Sequence, residues 1–560
     1  MARKLLLMAI KGLLNRPNCV FQHPEKAAQS FYIQTTYYYY SLYLHRLIFG
    51  DGMINGHYTK QLRAKHVALD AGKYIAILNE IDGKELGIHA LDRIELRNPK
   101  TNKSIVTVVD LTNKLVAPGE VGVFESVVQA IGIDDSSMLD VKAVSAPRSL
   151  EFIKKKMEGK ELSKEEIFEI VRDLDINRIS EIEASAFVSS VFIRGYTQDE
   201  TTFMTQALVE NGNRLSINAA PVVDKHSIGG LNGRATMIIV PIVAAAGLFC
   251  PKTSSRSITS AAGTADSMEV LANVSLPVEK IKEITENIGA VIVWGGSLDL
   301  APVDDKIIKI EHPLSLDPPG QIVASVLAKK ASVGAHYVVI DIPVGPAMKV
   351  KDIQNAEKLA NMFIGVGKKI GLTVESVLTD GTQPSGKAFG PALEAKYAME
   401  VLEGKIFDEL AQKSCELAGV IFELVGKAKP GLGTDMAKEI LKSGKALEKM
   451  KQIIKAQGAK ALSSAEVKLS DKFVEIKSMK DGEISSFDIK ELIKIARIAG
   501  APADSQAGIL LSVELGEKVK ENTVLFKIYG NNDTKLELAR KYANQHTVIN
   551  LESMILGKYT

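Results

Sequence analysis

Between Tyr58 and about Ala146, apolar and polar residues alternate in short runs separated by turn signals, as in "KYIAILNEIDG", "DRIELRN" and "SIVTVVDLT". A period of two puts one set of side chains on a buried face, so the pattern predicts a small β-rich domain over 58–146. At Pro147 the period lengthens. "SLEFIKKKMEGKELSKEEIFEIVRDL" and "ISEIEASAFVSSVFIRG" repeat apolar residues at three and four, and Ser163 opens a capping box with Glu166. "TQDETTFMTQALVENG" continues the pattern to a stop at Gly212, so a compact helical unit is expected over 147–217. From about Asn218 the chain alternates. "HYVVIDIPV" predicts a strand, while "ATMIIVPIVAAAG" and "AVIVWGG" are apolar runs that fit either a buried strand or a buried helix. Amphipathic stretches such as "DIQNAEKLANMFIGVGKKIG" lie between such runs, which predicts an open parallel or mixed sheet covered by helices. From about Lys468 short strands return in "KFVEIKSMKDGEISSFDI", "GILLSVELGEKV" and "TVLFKIYG", a C-terminal β-rich, α+β module over 468–560. The fold class is therefore multi-domain α/β. Residues 1–57, with the tyrosine run of "FYIQTTYYYYSLYLHRLIFGDGM", share none of these patterns. They are expected to be a disordered extension, or to lie mostly upstream of a true start at Met53.

Composition narrows the classes. The chain has 560 residues, 46% hydrophobic and 24% charged, enough for several cores. A net charge of +2 gives no reason to expect nucleic acid or an acidic membrane as partner. Cys19, Cys250 and Cys415 lie far apart, so neither a disulfide framework nor a zinc site is indicated, and a reducing cytoplasm is expected. Cys250 and Cys415 stand in apolar surroundings and read as core. No apolar run reaches the length of a membrane span, and Lys11 interrupts the N-terminal apolar stretch, against a signal peptide. No His/Asp/Glu set has ligand spacing, so no metal is expected.

Three loops rich in glycine and hydroxyls sit in the α/β region. They are "VVDKHSIGGLNGR" (222–234), "PKTSSRSITSAAGTADSMEV" (251–270) and "HPLSLDPPGQIVASVLAKK" (312–330). Glycines let backbone approach a ligand, and Lys225, His226 and Ser227 add a cation, a ring and a hydroxyl. None of this is a P-loop or a dinucleotide fingerprint. In the second loop six hydroxyls and Arg256 precede a helical pattern. Free N–H groups at a helix start suit phosphate, and a guanidinium adds bidentate donors, so the loop reads as an oxyanion cradle. Read alone, each loop also fits a helix cap or a turn. Trp294, beside Gly295 and Gly296, is expected to pack at a strand end, and His226 fits a structural role as well as a substrate-orienting one.

"DKHSIGG" followed by "KTSSRSITSAAGTADSMEV" resembles the thymidine phosphorylase family, most closely its archaeal AMP phosphorylase branch. The family's second motif is commonly SGRxLxxTxGTxDxxE. Here Ser255 replaces the glycine after the first serine, and Ala261-Ala262 replaces Thr-Gly. "VWGGSLDLAPVDD", "GKAFGPALEA" and "GKALEKMKQIIKAQG" match as well, and the similarity runs from about residue 60 to the end. The resemblance implies a helical domain over 147–217 and 312–332, a phosphate-binding α/β domain over 218–311 and 333–467, and a homodimer or larger homo-oligomer. It implies phosphorolysis of nucleoside 5′-monophosphates with inorganic phosphate as substrate and no cofactor. Lys225, Ser227, Thr236, Ser254 and Thr264 match positions that hold the nucleophilic phosphate. Gly229, Ser255, Arg256, Ser257, Ile258, Thr259, Ser260, Thr264, Ser325 and Lys349 match positions assigned to AMP, and Asp317 matches the proton donor. By its chemistry a partly buried Asp317 would keep its proton near neutrality. Ser325 and Lys329, four apart, share a helix face, and Lys329 is a candidate base contact. The segment before them lacks the arginine of thymidine-using relatives. Alternatives are a thymidine or uridine phosphorylase, an enzyme like anthranilate phosphoribosyltransferase, and a non-catalytic carrier or scaffold modified near Lys480.

Overall fold

The computed structural model describes residues 53–54, 57–69, 74–134, 137–229, 232, 234–257 and 260–552. The tyrosine run lies outside the described residues. Contacts divide the chain between Ala146 and Pro147 into two compact units.

The first unit is a mixed seven-stranded sheet in the order Met53–Ile54, His57–Val67, Glu120–Phe124, Ile75–Asn79, Lys103–Thr112, Arg93–Asn98, Met138–Ala143. A further antiparallel pairing of His57–Val67 with Met138–Ala143 closes it on itself, which removes the open edges around Leu62, Leu96, Val121 and Val141. The alternating run at "KYIAILNEIDG" is only half a strand. Asn79 turns its side chain to accept from Ile81 N, the helix Glu80–Leu86 starts, and Gly87 ends it at φ 69°.

The second unit begins with the helices Ser149–Met157, Lys164–Asp175, Glu181–Arg194 and Gln198–Glu210. Capping boxes open the last three, at Ser163/Glu166, Ser180/Glu183 and Thr197/Glu200. Their core of Ile167, Phe187, Met204 and Leu208 takes in Ala324 and Ala328 of Pro319–Ser332, and also Val303 and Ile307 of Pro302–Glu311. The bundle thus reaches back to Pro302, ten residues earlier than the segment beginning at His312.

Among the described residues, five strands form the centre of the α/β part, all parallel. Thr373–Asp380, Tyr337–Val344 and Val223–Ser227 pair in that order, and Cys250–Ser254 pairs with Ala290–Trp294. A single parallel bridge from Val222 to Phe249 joins the two groups. The run "ATMIIVPIVAAAG" is the helix Ala235–Ala245, buried from Met237 to Ala244 against Ala398, Cys415, Phe422 and Ile453 of other helices. A run buried on all sides has no periodicity to distinguish strand from helix.

The C-terminal part combines antiparallel strands with the helices Ile489–Ala499 and Asp533–Gln545, and Ala388–Phe389 of the α/β part pairs with its strand Gly508–Leu511. No helix among the described residues is long and apolar enough to cross a membrane.

Candidate active site

Parallel strands end on the same edge, and loops leaving their C-terminal ends form the usual ligand crevice of such sheets. Here Ser227, Ser254, Trp294, Val344 and Asp380 are those ends. The loops that follow carry Gly229, Ser255–Ser257 and Lys349, segments far apart in sequence that the topology brings to one edge. Gly229 has φ +36°, and a Cβ there would stand 3.5 Å from Lys349 Cε. Thr236 lies in the first turn of Ala235–Ala245, and Thr264 is the first residue of the helix Thr264–Leu271.

Under this edge lies a buried charge cluster on two aspartates. Asp341 accepts from Ser227 Oγ at 2.6 Å and Thr379 Oγ1 at 2.5 Å, with Lys225 Nζ at 3.3 Å and Lys413 Nζ at 3.5 Å. Asp224 has Lys252 Nζ at 3.0 Å and Lys330 Nζ at 2.6 Å, and Lys252 also donates to the Lys225 carbonyl at 2.6 Å. Four ammonium groups face two carboxylates. With all of them ionised, the cluster carries two unneutralised positive charges. Burial lowers Lys225 to about 8, with Lys413 and Lys252 adding to the effect and Asp341 opposing it. Burial, then Lys330, Lys252, Lys225 and Lys329, push His226 well below its usual value, so the ring is neutral. Burial would raise Asp224, but Lys252 and Lys330 hold it below the usual carboxylate range.

The serine-rich loop is braced mainly by itself. Ser257 N donates to Asp266 at 2.7 Å, Ser257 Oγ to the Ser260 carbonyl at 2.5 Å, and Ser260 Oγ to the Ala262 carbonyl at 2.8 Å. Ser255 is exposed, and Ser254 is half-buried at the strand end. Ile258 and Thr259 lie outside the described residues. A Cβ on Gly263 would meet the Ser255 carbonyl oxygen at 2.5 Å, so only glycine lets the loop fold back over the helix start. Arg256 is not a free anion clamp. Its guanidinium donates to Glu269 at 2.5 and 2.9 Å and to Asp266 at 3.2 Å, and it lies 5.1 Å from the Trp294 ring centroid. Trp294 thus packs at its strand end, under a cation.

Across the cleft, Lys349 donates to Asp317, and both side chains are about two-fifths exposed. Asp317 is therefore open and ion-paired, not the partly buried group expected of it. Ser325 and Lys329 do share one helix face. Ser325 Oγ donates to Asp304 at 2.6 Å, and Lys329 Nζ lies 2.7 Å from the same buried carboxylate. Burial would lower Lys329, but Asp304 and Asp305 raise it.

Three domain families match in order: the glycosyl transferase family helical bundle domain over residues 150–212, its a/b domain over 219–447, and the pyrimidine nucleoside phosphorylase C-terminal domain over 483–550. AMP phosphorylase 1 of Archaeoglobus fulgidus is 45% identical over 500 residues, covering 89% of this chain and 98% of that protein. The AMP phosphorylase of Thermococcus kodakarensis is 44% identical over 502 residues, covering 89% and 99%. The chain belongs to the AMP phosphorylase family. Among solved structures, anthranilate phosphoribosyltransferase of Thermus thermophilus matches with a TM-score of 0.48 at 21% identity, over 55% of this chain and 98% of that one.

In this AMP phosphorylase family member the site contains residues that the sequence patterns did not single out. Lys252, Lys330, Lys413, Asp224 and Asp341 complete the cluster around Lys225 and Ser227, and Asp304 anchors Ser325 and Lys329. Asp224 adjoins Lys225 in "VDKHS" and Lys330 adjoins Lys329, so neighbourhood was the available signal for both. Lys413 and Asp341 carried none. Cys250 and Cys415 are buried free thiols, raised by burial to about 12 and about 11. No group of three or more potential metal ligands occurs among the described residues.

Proposed function

We propose that the protein catalyses phosphorolysis of nucleoside 5′-monophosphates, converting AMP and phosphate to adenine and ribose 1,5-bisphosphate, with CMP and UMP as further substrates. The observation that carries this reading is the buried cluster of four lysines on two aspartates, beside Ser227 and Gly229 at the strand-end edge. Two excess positive charges in a dry site suit a dianion. Lys225, Ser227, Thr236, Ser254 and Thr264 hold the nucleophilic phosphate in this reading. The segment 255–260 and Lys349 take the 5′-phosphate of the nucleotide. A phosphate oxygen bonds to the anomeric carbon as the bond from that carbon to the base nitrogen breaks. The departing nitrogen takes a proton from Asp317, and fixed charges stabilise the ribosyl cation that develops. Lys349 cannot serve Asp317 and a phosphate equally. Drawing it to the 5′-phosphate would break its ion pair with Asp317.

The reading needs no cofactor beyond inorganic phosphate. Nucleotide turnover and the two buried free thiols favour the cytoplasm. Ile182 and Ile193, each 71% exposed and eleven residues apart on one face of Glu181–Arg194, favour a homodimer built on the helical bundle. The test is release of free base by the purified protein, whose mass in solution is measured alongside, from AMP, CMP, UMP, adenosine, thymidine and uridine. Phosphate-dependent adenine release from AMP with inert nucleosides is expected, and Asp317→Asn should lower kcat by roughly 10²–10⁴. Activity confined to thymidine or uridine would refute the monophosphate assignment.

A further inference from the structure

The C-terminal part of the second unit reaches two of the loops at the strand-end edge. Ala261, which follows Ser260 in the serine-rich loop, is buried in the same apolar core as Ile495, Ala496 and Ala499 of the helix Ile489–Ala499. Met348, the neighbour of Lys349, is buried in that core too. A charged contact joins helix and loop. Arg497, exposed in the last turn of Ile489–Ala499, donates from Nη1 to the Ser260 carbonyl at 3.0 Å. That carbonyl also accepts from Ser257 Oγ at 2.5 Å, so the guanidinium grips the point where the loop closes on itself.

The charges around the loop show what a second arginine adds. Arg256 faces two carboxylates, Asp266 and Glu269, so that group carries a net negative charge and disfavours an anion. A loop that receives a phosphate needs positive charge from elsewhere, and Arg497 brings it to the Ser260 end. The C-terminal part stays attached without this contact, through the shared apolar core and the pairing of Ala388–Phe389 with Gly508–Leu511. An exposed side chain such as Arg497 therefore contributes little to stability. We propose that Arg497 is a positioning residue for the nucleotide: through the Ser260 carbonyl it holds the serine-rich loop in the shape that receives the 5′-phosphate. This rests on the phosphorolysis reading and gives the C-terminal part a role in substrate recognition.

The experiment measures KM for AMP and KM for inorganic phosphate separately, with kcat and the thermal unfolding midpoint, in the wild-type protein and in Arg497→Met, Arg497→Glu and Arg497→Lys. Arg497→Met should raise the AMP KM roughly tenfold, the lower end of what one charge-assisted hydrogen bond contributes, while kcat, the phosphate KM and the midpoint stay near wild type. Arg497→Glu should raise the AMP KM at least as far. Arg497→Lys keeps the charge and a donor and should recover most of the loss. An AMP KM in Arg497→Met within about twofold of wild type, or one in Arg497→Lys no better than in Arg497→Met, would overturn the proposal while leaving phosphorolysis standing. So would a joint rise of both KM values with a fall in the midpoint, the mark of a purely structural arginine. If Arg497→Met does not fold, Arg497→Glu decides by the same criteria. A wild-type protein that releases no base from any monophosphate would instead overturn the phosphorolysis reading.

Discussion

Lys225 shows most directly how burial tunes the site. Below about pH 8 it is protonated and adds its charge to the buried cluster. Above that it is neutral, as is Lys330, which burial also lowers to about 8, and the cluster loses both of its excess charges. Phosphate affinity should therefore be flat from pH 6 to about 7.5 apart from phosphate's own titration, then fall as pH rises through 8. Titration calorimetry at several pH values checks this, and Lys225→Met should make the fall shallower, leaving the part due to Lys330, while weakening binding by roughly 10- to 100-fold, as expected for one charge-assisted hydrogen bond. At this scale the sequence was half legible. Lys225 and Ser227 stood in a recognisable run, whereas their partner Asp341 lies 114 residues from Ser227 and only strand pairing brings it there. Arg256 was legible as a cation and illegible as a paired one. Its neutralisers, Asp266 and Glu269, stood in the same motif, but their direction depends on how the loop folds back at Gly263.

The serine-rich loop and the helix behind it behave as one element, because the missing side chain of Gly263 is what lets them touch. Gly263→Ala should force the segment 255–257 away from the helix start. The expected result is an AMP KM raised at least tenfold and stability lowered by about 1–3 kcal/mol, the usual cost of forcing atoms into a packed site. Steady-state kinetics and chemical unfolding measure the two. Elements with a clear period were legible before folding: the capping box at Ser163, the strand at Tyr337–Val344 and the helix Ile353–Lys369 all follow their patterns. Ala235–Ala245 does not, because burial on every side erases the contrast that periodicity needs. The C-terminal helix Ile489–Ala499 was hidden differently. Its amphipathic run follows directly on strand residues, and Asp488, which caps it by accepting from Glu491 N, reads equally well as a turn.

For the second unit as a whole, the lysine cluster links ligand to fold. Lys225, Lys252 and Lys330 are each at most 4% exposed, and each stands among other cations, so the protein carries buried repulsion that a phosphate bound as proposed would relieve. Phosphate at about 100 times its Kd should stabilise the protein by about 2.7 kcal/mol through mass action alone. A thermal-unfolding series in phosphate against chloride at matched ionic strength measures it, and equal midpoints in the two salts would remove the linkage. The sandwich of bundle and α/β layers was foreshadowed by the change of period at Pro147. That the bundle recruits Pro302–Glu311 was not, since Val303 and Ile307 choose a core by shape and proximity that no local pattern encodes. The same buried lysines bear on how long the protein lasts in a cell. Proteases remove chains in proportion to the time they spend open, so a co-substrate that holds the structure closed also sets its lifetime. When phosphate runs low the protein would be degraded faster, and its abundance would follow the supply of the molecule it consumes.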